Sequence, residues 1–171
     1  MTTPSEHGFH AWAFDPALAT GQVAPVDAEI YLIGIKLRFP RVVSNVHAFV
    51  GVAGATVTAS FAGLYTDAGA RLGVTASINT ALETTGHKTF ALTSALACDP
   101  GFYYIALLSG GGGTDCQLNR SAAPTVFSGN AGLTDVAHLR FATHNAGSQA
   151  TLPTTVTPEA AGAIPFWAAI S

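Results

Sequence analysis

Charge is what this chain has least of: 10% of its 171 residues are Asp, Glu, Lys or Arg, against roughly 25% in an ordinary soluble domain. Ala, Thr, Ser and Gly fill the deficit, which leaves an exterior with little self-repulsion, suited to being covered by neighbours in an assembly. Seven Lys and Arg against ten Asp and Glu give a net charge of -3. That balance speaks against nucleic-acid binding, which needs clustered cations to neutralise phosphates. The basic residues read as scattered. Lys36, Arg38 and Arg41 form the nearest thing to a cluster, on what reads as a solvated strand face.

Long apolar runs are missing too. The longest, Ile30 to Ile35, is far short of the ~20 residues of a spanning helix, so no membrane insertion is expected. The opening "MTTPSEHGFHAWAFDPALATGQ" has no basic head followed by an apolar core and cleavage site, so it does not read as a secretory signal and synthesis in the cytoplasm is expected. The two cysteines, Cys98 and Cys116, are expected to be free thiols. If the glycines at 110–113 fold Cys116 back beside Leu107 or Leu108, about ten strand residues, ~33 Å, separate it from Cys98.

What the chain does contain is many short alternating runs joined by turn residues. "AEIYLIGIKLRF" (28–39) puts Tyr31, Ile33, Ile35, Leu37 and Phe39 on one face, with Lys36 and Arg38 opposite near its end. It reads as a strand buried first on both sides and then on one, and Pro40 ends it. In "RVVSNVHAFVGV" (41–52), Val42, Val46, Ala48, Val50 and Val52 share a side, with Asn45 and His47 opposite. "VTASFAGLY" and "RLGVTA" read as a hairpin around Thr66 to Ala70, with Gly69 at the positive-φ position. "INTALETTG" suits a short helical turn stopped by Gly86, and "KTFALTS" and "FYYIALLS" read as a strand pair around Asp99-Pro100-Gly101. After the glycine loop come "CQLNR", a turn-rich stretch from Ser121 to Ala137, "HLRFAT" (138–143) and the final "IPFWAAIS".

About nine to ten strands and no long helix indicate an all-β fold, a two-sheet β-sandwich of jelly-roll character. Residues 1–27 read as an extended N-terminal arm and connection, and 28–171 as a single domain, for which 171 residues suffice without metal or disulfide.

Reactive chemistry is nearly absent from the pattern. His7 and His10 beside Glu6 would suit a metal on a helix, but on an extended segment they point to opposite faces. Gly110 to Gly113 lead into Thr-Asp-Cys rather than Gly-Lys-Ser or Gly-Lys-Thr, so they read as a hairpin tip and not a phosphate loop. No Gly-x-Ser-x-Gly occurs. Asp67, Glu83, Asp99 and Glu159 sit in or near turns, where carboxylates cap backbone groups. The reading is therefore of a protein that is not an enzyme, uses no cofactor and holds no metal. The aromatics read chiefly as core. Phe9, Trp12, Phe14 and Trp167 are the assembly-contact candidates, fixing the N-terminal arm to the last strand within the subunit or across a subunit contact, with the arm ordering on assembly.

From Glu6 onward the pattern resembles a recurring domain of actinobacterial tailed phages. The resemblance rests on "EHGFHAWAFDPALATG", "FAGLYTDAGARLGVTA", "GHKTFALTS" followed by "DPGFYYIALLSGG", "GNAGLTDVAHLRFAT" and the terminal "FWAAIS". It implies a structural piece of the virion at the end of a minor tail or tail-fibre protein, a trimeric β-sandwich touching other virion proteins and the host surface, with no catalytic residues. Two alternatives stand beside it: a decoration protein on the capsid exterior, and a carbohydrate-binding module that reads a host cell-surface glycan through exposed aromatics.

Overall fold

In the computed structural model, which describes residues 2–122, 138–144, 149–159 and 164–171, the alternating runs form two antiparallel sheets packed face to face. The first holds β1 (Ala11–Trp12), β2 (Gly21–Val23), β4 (Arg41–Val52), β7 (Gly86–Cys98), β9 (Gln117–Arg120) and β11 (Ala168–Ile170). The second holds β3 (Ile30–Leu37), β5 (Thr58–Thr66), β6 (Arg71–Val74), β8 (Gly101–Gly110) and β10 (Phe141–His144), in the order β10-β3-β8-β5-β6. A single helical turn, α1 (Asn79–Leu82), lies between β6 and β7. The all-β two-sheet sandwich expected from the sequence is the fold observed.

Inward-facing residues make the core between the sheets. On β3 these are Tyr31, Ile33, Ile35 and Leu37, meeting Val46, Ala48 and Val50 of β4, Phe90 and Leu92 of β7, and Ala168 and Ile170 of β11. The other face of β3 is also apolar, because Ile30 and Leu32 join Tyr104, Ala106 and Leu108 of β8 in a second cluster capped by Leu139, Leu152 and Val156. That outer cap is tied down by Tyr65, whose hydroxyl donates to the Pro153 carbonyl at 2.7 Å, and by Arg71, whose guanidinium donates to Leu152. Double burial explains why 30–35 reads as an unbroken apolar run. Where the cap ends, Lys36 is exposed.

Five details differ from the sequence reading, the simplest being Val52, expected on the core face of β4 but 39% exposed at the end of the strand. Val42 is not on the core face of β4: its relative exposure is 60%, and Val43 is buried in its place. The register against β7 shifts between Val43 and Asn45, and the amides of Ser44 and Asn45 both donate to the Ser171 carbonyl, at 2.7 and 2.9 Å. Ser171 thus holds a bulge that exchanges the two faces of the strand. Phe39 lies beyond the end of β3 and is 64% exposed instead of joining its core face.

The Asp99-Pro100-Gly101 turn does not close a hairpin. β7 pairs with β4 in the first sheet, whereas β8 is flanked on both edges by β3 and β5 in the second. The turn is a corner between sheets, and so is the glycine loop, since β9 pairs with β2 and β4. Cys116 still returns near the end of β8, its Sγ 3.9 Å from the Ser109 Oγ, and both cysteines are buried and free. The stretch 123–137 lies outside the described residues. The segment read as arm and connection contributes β1 and β2, which lie at the two ends of the first sheet's path.

Gly69 and Gly86 both have positive φ, 83° and 105°, but only Gly69 is crowded: a Cβ there would overlap the Val156 carbonyl, and one on Gly86 would meet nothing within 4 Å. Gly86→Ala should therefore cost about 1 kcal/mol from backbone strain alone, and Gly69→Ala at least ~2 kcal/mol. Urea unfolding of the two variants gives the comparison directly.

Candidate functional site

The first nineteen residues are folded by local caps before they touch the sheet. Glu6 accepts from the Thr3 amide at 2.6 Å and from its hydroxyl at 2.9 Å, closing the turn Pro4–His7, and Gly8 reverses the chain at φ 77°. Asp15 accepts from the Ala17 amide at 2.9 Å and from the amide and hydroxyl of Thr2, and these bonds hold its carboxyl below the usual range. Between these caps, β1 pairs with β11 so that Ala11 faces Ile170 and Trp12 faces Ala169. Period-two alternation then sends Ala11 into the core and Trp12 to the outer face of the first sheet.

On that outer face lies an aromatic seam. Trp167 is 1% exposed, with the rings of Phe49 and Phe9 at 4.6 and 5.7 Å and its Nε1 donating to the Phe14 carbonyl at 2.9 Å. Phe9 also lies 6.4 Å from Trp12 and 4.9 Å from His47. The four candidates Phe9, Trp12, Phe14 and Trp167 thus come together within one subunit, and the small faces of Ala19 and Ala169 complete the packing.

His47 and His87 stack beneath Phe9, 5.1 Å apart and within 10° of parallel. The His47 ring nitrogens lie 2.8 Å from the Ser171 hydroxyl and 3.2 Å from that of Thr89. Burial, reinforced by His87, pushes His47 down to about 4, and burial followed by Lys88 lowers His87.

Beside the seam the N-terminal segment and the ends of β3 and β4 enclose a cleft of about 750 Å³. Lys36, Arg38, Arg41 and Arg140 line it, with His10 at its edge and Phe9, Trp12, Phe39 and Phe102 as apolar wall. Four of the seven Lys and Arg are therefore gathered at one place, and the reading of scattered cations is corrected. No described residue lining the cleft is acidic.

Each cation is placed by backbone geometry. Lys36 projects where the outer cap over β3 stops, Arg38 follows in the connection, and Arg41 begins β4. Arg140 arrives from the far end of the chain because its carbonyl accepts from the Gly34 amide at 2.7 Å, next to the β10–β3 ladder. Its Nη2 donates to the Ala13 carbonyl at 2.5 Å, and desolvation lowers its pKa. Gly34 is required here, since a Cβ would collide with the Phe102 ring, which stacks on His138 at 4.6 Å. Sequence reasoning missed Arg140 and His10, because nothing local in "HLRFAT" announces a ladder with β3.

The other sequence candidates stay apart. The His7 ring lies 5.5 Å from that of Trp12, while His10 Nε2 lies 3.2 Å from the Val42 carbonyl. Asp67 accepts from the Ala68 amide and Glu83 from the Val57 amide, the carboxylates serving turns. Among the described residues no three metal-ligating side chains gather, and no helix is long and apolar enough to cross a membrane.

Compared with known proteins, the chain matches no family model, and no curated protein is significantly similar to it in sequence.

The buried imidazole sets a pH dependence. An unfolded chain protonates His47 near 6.5, whereas the folded protein does so only near 4, so between those values the unfolded state holds more protons. Stability is then lost as pH falls through that window, by up to about 3 kcal/mol. Urea midpoints at pH 7 and pH 4 should differ accordingly, and His47→Gln should flatten the dependence.

Proposed function

We propose that this chain is a non-enzymatic structural protein of a tailed phage virion, a minor tail or tail-fibre component that oligomerises as a trimer, contacts other virion proteins and works in host attachment. The observation that carries the reading is the uncharged surface left along β7. Ala91, Thr93, Ser94, Ala95 and Ala97 are all exposed there, and Val42, 60% exposed, faces Ala97 across the ladder. Phe39 and Leu72 add exposed apolar area, at 64% and 40%. A long strand whose second edge meets the described chain at the isolated Thr75–Leu92 bridge, and which carries no charge over 91–97, is a liability in a lone subunit and an asset in a symmetric assembly. The aromatics of the N-terminal segment are already used inside the subunit, so the β7 face is the surface offered to neighbours.

A charge placed at the end of that face, where Val42 meets Ala97, tests the reading. Light scattering should show an oligomer for the native chain, and Val42→Lys should drive it to monomers whose circular dichroism spectrum is unchanged. Immunogold labelling should place the protein on the tail. A monodisperse single subunit at high concentration, absent from purified particles, would overturn the proposal.

A further inference from the structure

The cleft beside the aromatic seam has a chemistry the virion reading does not use. We propose that it binds an acidic saccharide, a sugar chain bearing carboxylate or phosphate groups, and this inference stands whether or not the chain is a virion protein. Four like charges drawn together in a chain of net charge -3 repel one another, and the nearest described carboxylates, Asp15 and Glu6, are engaged by Thr2 and Thr3 at the N-terminal side of the cleft and do not themselves line it. Such an arrangement is stabilised when an anion arrives.

The shape and the wall narrow the anion to a class. About 750 Å³ falls within the range of sites that enclose a small ligand, ~300–1,000 Å³. Arg140 is pre-oriented by its bond to the Ala13 carbonyl, which engages one of its N–H donors and leaves the planar fork aimed by a fixed anchor. Guanidinium forks match carboxylate and phosphate oxygens. The rings of Phe39 and Trp12 also line the cleft and can carry the C–H face of a sugar, and Ser5 and Thr2 bring hydroxyls to it. Apolar faces, hydroxyls and paired cations in one cleft correspond to the three parts of an acidic sugar. An acidic peptide would supply charge without the stacking face.

The test uses the intact chain and calorimetric titration, with the fluorescence of Trp12 and Trp167 as a second signal. Trigalacturonate and mannose 6-phosphate are the probes, and the fully methyl-esterified trigalacturonate, inorganic phosphate and a short polyglutamate are the comparisons. At least one acidic sugar should bind saturably, about tenfold more tightly than each comparison, and the affinity should fall with added salt. Arg38→Gln together with Arg41→Gln should weaken it about tenfold while leaving the circular dichroism spectrum unchanged. If that pair fails to fold, Lys36→Gln, an exposed site on β3, serves the same purpose. Absence of saturable binding by both acidic sugars, equal binding of the ester, phosphate or polyglutamate, or full affinity in the folded variants would each overturn the proposal.

Discussion

Both sheets of this protein bury part of their outer face as well as the face turned to the core. Ile30, Leu32, Tyr104 and Leu108 lie on the side of the second sheet away from the core, and Trp167 and Ala169 on that of the first. A β-sandwich ordinarily shows polar residues there. Here the chain covers itself: the segment before β2 lies over one outer face, and Leu139, Leu152 and Val156 over the other. Burying a large apolar side chain is worth roughly 1.5–3 kcal/mol, so these covers are part of the fold's stability. Non-strand segments thereby become structural elements, fastened by caps and by the Tyr65 and Trp167 hydrogen bonds.

The positions of the charges follow from that covering. Along β3 the outward residues are Ile30 and Leu32 while the cap lasts, and Lys36 once it stops. Arg38 and Arg41 follow in the uncovered connection to the opposite sheet. The N-terminal segment then passes close enough for Ala13 to receive the Arg140 guanidinium. A cation-lined cleft therefore arises where two covering segments stop short of each other.

How much of this was legible can be judged element by element. The change on β3 from double to single burial was readable, because it depends only on side-chain alternation within one strand. So were the β5–β6 hairpin at Gly69 and the helical turn before Gly86. The exchange of Val42 for Val43 was not, since its cause is a carbonyl at Ser171, over a hundred positions away. For the same reason the two turns read as hairpins were corners: a turn's residues state that the chain reverses, not which sheet receives it. Phe9, Trp12, Phe14 and Trp167 could be singled out by composition near the two ends of the chain, whereas Arg140 needed the register of β10 on β3.

The scarcity of charge gives the cleft its weight. With four of the seven cations in the cleft, three remain elsewhere, and none of the described acidic residues lines the cleft. Among the described residues the cleft is where cations are gathered, so an anion is drawn there. Apolar walls such as Phe39 and Phe102, which screen less than water, concentrate that field. The same sparse surface lowers the electrostatic barrier between copies along β7, where close approach would otherwise bring like charges together. A low charge count thus serves two ends at once: it lets uncharged faces meet, and it leaves one cleft as the place where a negatively charged molecule is drawn in.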